Sequence, residues 1–291
     1  MDWSARFDAF VTKKTAAAVD VPIPGYHTVE SRGASGRLSG IGNAWTMARF
    51  DGHFFESWPR DRSLPAINCV FVQSADGNTG ADQPITLGGG LTDKHLIYEG
   101  LSSVHADAIL TGATTIRGEH TVMALWHPEL VALRTSLGLP RYPAQVVATR
   151  SGQLDIDTSL LYNLPHLRVF IITGDAGADA MRPHTDARPW IQVLNGGESS
   201  DLIGGLKALR AHHGIARVSS IAGRTVATQL IDASVVQDLY LTTSPQPGGQ
   251  PNTPFYTGAR PLATSLVVRK AGRDIETGVI FEHLLLSPPN S

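Results

Sequence analysis

One cysteine, Cys69, stands among 291 residues. A lone thiol excludes an internal disulfide framework and any paired-cysteine zinc site. It sits in the apolar run 66–73, where a buried filler is the simpler reading than a nucleophile. No apolar run is long enough to cross a membrane and no signal-peptide pattern appears, so a cytoplasmic protein without a membrane partner is expected. Charge is sparse as well. Charged residues make up 17% and the formal net charge is −2, which argues against a nucleic-acid binder and confines phosphate recognition to a local site. His95, His105, His120 and His127 show no HExxH-like spacing, and there is no G-x-S-x-G elbow. Neither a metal site nor a serine hydrolase is therefore expected.

What is present is concentrated in residues 218–245. A β-branched run (218–221) breaks at Ala222-Gly223, a helical pattern follows over 225–232, and a second strand pattern covers 239–243. At such a turn the first amides of the helix lack partners and favour an anion. Gly223 permits close backbone approach, Arg224 adds charge and Thr225 a hydroxyl donor; Ala222 and Val226 flank them. Locally, a phosphate cradle and a plain strand–helix turn with an exposed arginine both remain open.

Three segments in order carry a wider resemblance: Ser74-Ala75-Asp76-Gly77, the run Ala106 to Arg117 (ADAILTGATTIR), and Gly223-Thr225 with Val235-Val236-Gln237-Asp238 and Pro245. Over roughly residues 63–286 the chain resembles the C-terminal reductase domain of bifunctional riboflavin-biosynthesis deaminase/reductases, a dihydrofolate-reductase-like fold that binds NADPH. The resemblance implies NADPH as cofactor, a small-molecule substrate and a homodimer. The zinc deaminase domain that accompanies the reductase in those proteins has no paired-cysteine motif here.

The expected fold is α/β: a three-layer dihydrofolate-reductase-like arrangement, with a mostly parallel central sheet, an antiparallel C-terminal edge and helices on both faces. Strands are expected at 67–73, 108–111, 145–149 and 169–173, and antiparallel strands at 264–270 and 279–286. Helices are expected at 5–19, at 93–105 with Thr92 as N-cap, at 128–137, and after Ser200 or Asp201 up to Gly214. Residues 63–291 form the reductase domain. Residues 1–62, with Trp45, Phe50, Phe54, Phe55 and Trp58 crowded together, form an extension that packs on the core, lids the site or does both.

Ligands in such sheets sit beyond the carboxyl ends of the strands. Gly112 and Thr115 follow one strand, and the resemblance makes them cofactor contacts. Arg150 and Ser151 follow another and suit an adenosine 2′-phosphate, or Arg150 is a solvated loop charge. Gly174-Asp175 is a weaker candidate. Ser74 and Asp76 lie where the resemblance brings nicotinamide and substrate together, and they are the catalytic candidates. Asp76 serves equally well as a turn former. Ser103, Glu119 and Ile221 are the substrate candidates. Ser103 and Ile221 stand where the family carries an arginine and an acid for a phosphorylated substrate, which implies a retained hydride-transfer scaffold with an altered substrate. The readings carried forward are an NADPH-dependent reductase of a ribosylaminopyrimidine or small heterocycle, a specialised-metabolism reductase of an unphosphorylated heterocycle or enone, and a non-catalytic nucleotide-binding protein.

Overall fold

A computed structural model describes residues 2–33, 38–81, 84–116, 121–198 and 200–287. Among the described residues twelve strands run in chain order: β1 (Tyr26–Ser31), β2 (Leu38–Ile41), β3 (Phe54–Ser57), β4 (Ala66–Gln73), β5 (Ala108–Gly112), β6 (Ala144–Ala148), β7 (Val169–Thr173), β8 (Ile191–Asn195), β9 (Arg217–Ser220), β10 (Asp238–Thr243), β11 (Thr264–Gly272) and β12 (Ile280–Leu286). Ten of them form one sheet in the order β1-β11-β12-β10-β4-β9-β5-β6-β7-β8, and β2 with β3 makes a separate hairpin. From β10 to β8 the strands are parallel. β12, β11 and β1 close one side in antiparallel pairs. The α/β class and the antiparallel C-terminal edge are as expected.

Strand side chains alternate between faces. Ile67, Cys69, Leu110, Val146, Ile172 and Leu241 join one core with the helices Leu202–His213 and Arg224–Asp232. On the other face Val70, Ile109, Tyr240 and Phe281 pack with the segment 90–104 and with Tyr26, Phe50 and Phe54. The N-terminal aromatics thus divide. Phe50 and Phe54 are buried, Trp45 stacks on His127 at 4.2 Å, Phe55 is half-buried and Trp58 is exposed. Residues before 63 also supply β1, the outermost strand of the sheet, whose amphipathic sequence YHTVES carries no strand signal as strong as the interior runs.

Several elements differ from the sequence expectation. The helix expected at 93–105 is broken: Asp93–Leu101 is wound as a π-helix, and Glu99 and Gly100 leave helical geometry (φ −91°, ψ 22° and φ −145°, ψ −114°). Gly100 is needed because a Cβ there would lie 2.9 Å from the backbone carbonyl oxygen of His95. Thr92 is not an N-cap. It has helical backbone angles, and its Oγ1 accepts the Gly25 amide at 3.0 Å. The helix Asp175–Thr185 and β8 were missed, the first because Gly-Asp after a strand reads as a turn. Asp201, not Ser200, caps its helix by accepting the Gly204 amide, and Gly214 ends that helix at φ +71°.

The connection into β5 is held by a buried cation. Arg134 Nη1 donates to the carbonyls of Ser103, Val104 and Ala106, and its Nε donates to that of Pro140. Burial pushes the guanidinium pKa down to about 10. Arg134→Met keeps the bulk but leaves these carbonyls unpaired, and a loss of roughly 3 kcal/mol in unfolding free energy is expected. Urea denaturation checks this; a change under about 0.5 kcal/mol, the range of an ordinary surface substitution, contradicts it.

Candidate functional site

The parallel region splits at one place. β4 pairs with β10 from Asn68 to Gln73 but with β9 only from Ala66 to Cys69. Beyond Ser220 the chain turns toward β5, with the Ile221 amide donating to the Leu110 carbonyl at 3.0 Å. A cleft therefore opens beside the carboxyl end of β4, flanked by the loops after β9, β5 and β6.

Those loops carry the predicted cofactor residues on neighbouring strands. Gly223 begins the helix Arg224–Asp232 with no side-chain cap, whereas Asp2, Asn43 and Asp201 cap their helices. The amides of Val226 and Ala227 turn back to the Gly223 carbonyl, and among the described residues nothing accepts from those of Arg224 and Thr225. Gly223 has φ −66°, so its conformation does not require glycine; a Cβ there would meet nothing within 4 Å. Space, not backbone freedom, is what this glycine provides. Gly112 lies alongside, its Cβ position 3.8 Å from Val226 Cγ2, and the Thr115 amide closes a turn onto the Gly112 carbonyl. Ala222 is buried and offers backbone only, while Thr225, Arg150 and Ser151 are exposed. Neither Arg150 nor Arg224 has a polar partner among the described residues. At Gly174 the helix start is different: the Asp175 carboxylate, held by Asn195 Nδ2 at 2.7 Å, already places negative charge in the first turn. That end is unsuited to a phosphate.

Two cavities adjoin this edge. One, of about 330 Å³, lies beside Ala113, Ile116 and Asp155, and is lined by Ser159 and Tyr162, whose buried hydroxyls have no partner among the described residues. The other, of about 190 Å³, has apolar walls of Phe10, Tyr98, Ile109, Met123, Trp126 and Ile221, with Lys14, Glu99, Ser103 and Thr121 as polar members. Ser103 and Ile221 are thus brought together in one pocket. Lys14 Nζ meets Glu99 Oε1 at 2.8 Å, and His95 Nδ1 lies 3.4 Å from Glu99 Oε2. Although burial opposes its ionisation, the hydrogen bond from His95 and the Lys14 charge leave the Glu99 pKa below the ordinary value. Lys14, Glu99, Phe10 and Trp126 escaped sequence reasoning. The one available signal was that Phe10 and Lys14 are four residues apart on one helix face.

Ser74 and Asp76 occupy the turn after β4. Ser74 has no exposed surface, and its Oγ accepts the Asn78 amide at 3.3 Å within the turn. Asp76 is exposed at the tip, next to Gly77 at φ +77°, and lines neither cavity. Glu119, with Arg117 and His120, lies outside the described residues. Among the described residues no group of three or more His, Cys, Asp or Glu is placed to hold a metal, and no helix is long and apolar enough to cross a membrane. Burial pushes the Cys69 thiol up to about 12, which makes it inert.

Asp93 is a buried carboxyl raised to about 7, first by burial and then by Glu276, against the lowering effect of Thr242. The folded state therefore binds a proton that the unfolded state releases near pH 4, so this group's contribution to stability falls as pH rises from about 4 to about 7. Asp93→Asn removes that slope. Its melting temperature relative to wild type is expected to rise between pH 5 and pH 8, and parallel curves contradict the assignment.

The profile of the RibD C-terminal domain family matches residues 65–278. No curated protein sequence matches the chain. Among solved structures it is similar to a pyrimidine reductase-like protein of Corynebacterium diphtheriae, at 19% identity over 77% of this chain and 92% of that one, with a TM-score of 0.62. It is also similar to RibD of Acinetobacter baumannii, at 16% identity over 77% of this chain and 58% of that one (TM-score 0.57). A third similar structure is the riboflavin biosynthesis reductase Rib7 of Saccharomyces cerevisiae, at 14% identity over 78% of this chain and 92% of that one (TM-score 0.53). At these identities the likeness is one of fold.

Proposed function

The chain belongs to the RibD C-terminal domain family, and from that premise we propose that it is an NADPH-dependent reductase of a ribosylaminopyrimidine or related small heterocycle. One observation carries the reading. The turn that ends β9 contributes Ile221 to the smaller pocket and, two residues on, Gly223 to an uncapped helix start with open space before it. A cofactor lying along the strand ends and a substrate in the pocket would meet at that turn.

The residues present fit a dinucleotide phosphate. The amides of Arg224 and Thr225 and the helix dipole suit the pyrophosphate, with Gly112, Thr115 and Val226 forming the wall beside it. Arg150 and Ser151 suit the 2′-phosphate, and the larger cavity beside Ala113 and Ile116 offers room for the adenosine end. When bound, the nicotinamide supplies the hydride. The protein aligns the substrate face against it and excludes water with the apolar walls of the pocket. Ser74 acts as a positioning residue that fixes the β4 turn, and Asp76, at the exposed tip of that turn and outside both cavities, acts as a turn former.

Two variants test the cofactor assignment. Gly223→Val is expected to abolish NADPH binding while the protein stays folded, because the new side chain enters open space and costs the helix about 1 kcal/mol as a poorer N-cap. An unchanged dissociation constant in calorimetry would make the turn structural only. Arg150→Ala is expected to weaken NADPH more than NADH, by about 1.5–3 kcal/mol for a lost charged hydrogen bond. Equal losses for both cofactors would remove Arg150 from the 2′-phosphate.

A further inference from the structure

The helix Trp3–Val19 lies outside the segment that matches the family, yet it supplies one wall of the smaller pocket through Phe10 and Lys14. Lys14 is half-buried there and spends its charge on Glu99, which is more deeply placed, with side-chain exposures of 35% and 14%. Among the described residues the pocket's two charges, Lys14 and Glu99, cancel, and the carboxylate is the inner one. Ser103, 2% exposed, lines the pocket, and its buried hydroxyl has no partner among the described residues. The remaining walls are largely aromatic and aliphatic, and about 190 Å³ is small beside the roughly 300–1,000 Å³ common for ligand sites.

We propose that the Lys14–Glu99 pair makes this pocket select an uncharged, planar heterocycle bearing N–H groups and reject a phosphomonoester. This deepens the reductase reading by naming the substrate class and two specificity-determining residues. A ring between aromatic walls can donate N–H to the Glu99 carboxylate, a charge-assisted hydrogen bond. A phosphate dianion meets the opposite situation. Its natural partner, Lys14, is already neutralised, and drawing Lys14 away leaves the Glu99 carboxylate, with only His95 beside it, facing a second anion. Ile221 offers that anion nothing. The stretch of helix that breaks at Glu99 and Gly100 is what carries the carboxylate into the pocket wall.

Calorimetric titration of wild type, Glu99→Gln and Lys14→Met with 5,6-diaminouracil and with uridine 5′-monophosphate tests this. Wild type is expected to bind 5,6-diaminouracil at least tenfold more tightly than the nucleotide. Glu99→Gln keeps the shape, removes the repulsion and frees Lys14. The neutral ring should lose about tenfold and the nucleotide should gain about tenfold, two changes of opposite sign that a general loss of structure cannot produce. Lys14→Met should keep 5,6-diaminouracil within about threefold and weaken the nucleotide further, and it serves as the test if the glutamine variant does not fold. Tighter nucleotide than diaminouracil binding in wild type, no diaminouracil binding, or same-sign changes in Glu99→Gln overturn the proposal. NADPH affinity is measured on the same samples. Selectivity that reverses as expected without NADPH binding would sink the reductase reading alone, whereas NADPH binding without the reversal would sink this inference alone.

Discussion

The early end of β9 is the constraint on which the rest of the site depends. β9 gives β4 only four residues of pairing, while β4 continues alongside β10 for four residues more. Had β9 run on, its backbone would have filled the space beside β4, and the amides of the following helix would have opened elsewhere. Instead the chain is pulled toward β5 by the Ile221 amide, and a cleft is left at the point where the connections leave the sheet in opposite directions.

Packing on the two faces of the sheet then assigns different work to each side. The helices Leu202–His213 and Arg224–Asp232 bury one face and fix the orientation of the open helix start. The other face is covered by the irregular segment 90–104 and by N-terminal residues, and there the packing leaves the smaller pocket. Arg134 links the two concerns. By holding the carbonyls of Ser103, Val104 and Ala106 it fixes the pocket wall and the entry into β5 together.

Much of this was legible in the sequence, for identifiable reasons. Interior strands such as Ala66–Gln73 and Val169–Thr173 are apolar on both faces and announce themselves, and small residues after a strand mark the turn at Gly223. What stayed hidden depends on contacts distant in the chain. β1 is a strand because β11 pairs with it, Thr92 is engaged by Gly25, and Glu99 meets Lys14 across 85 positions. The site followed the same rule. The residues proposed to hold the cofactor lie on loops whose local pattern is informative, whereas the charge of the proposed substrate pocket is set by a helix that has no sequence motif.

Amide hydrogen exchange with and without NADPH tests the central claim, that cofactor and substrate sites share the turn after β9, most directly. The account predicts slowed exchange on NADPH addition in peptides covering residues 222–226 and 112–115, extending to the pocket wall at 98–103, with helix Leu202–His213 unchanged. Protection confined to other regions, or none at all with NADPH at millimolar concentration, would contradict it.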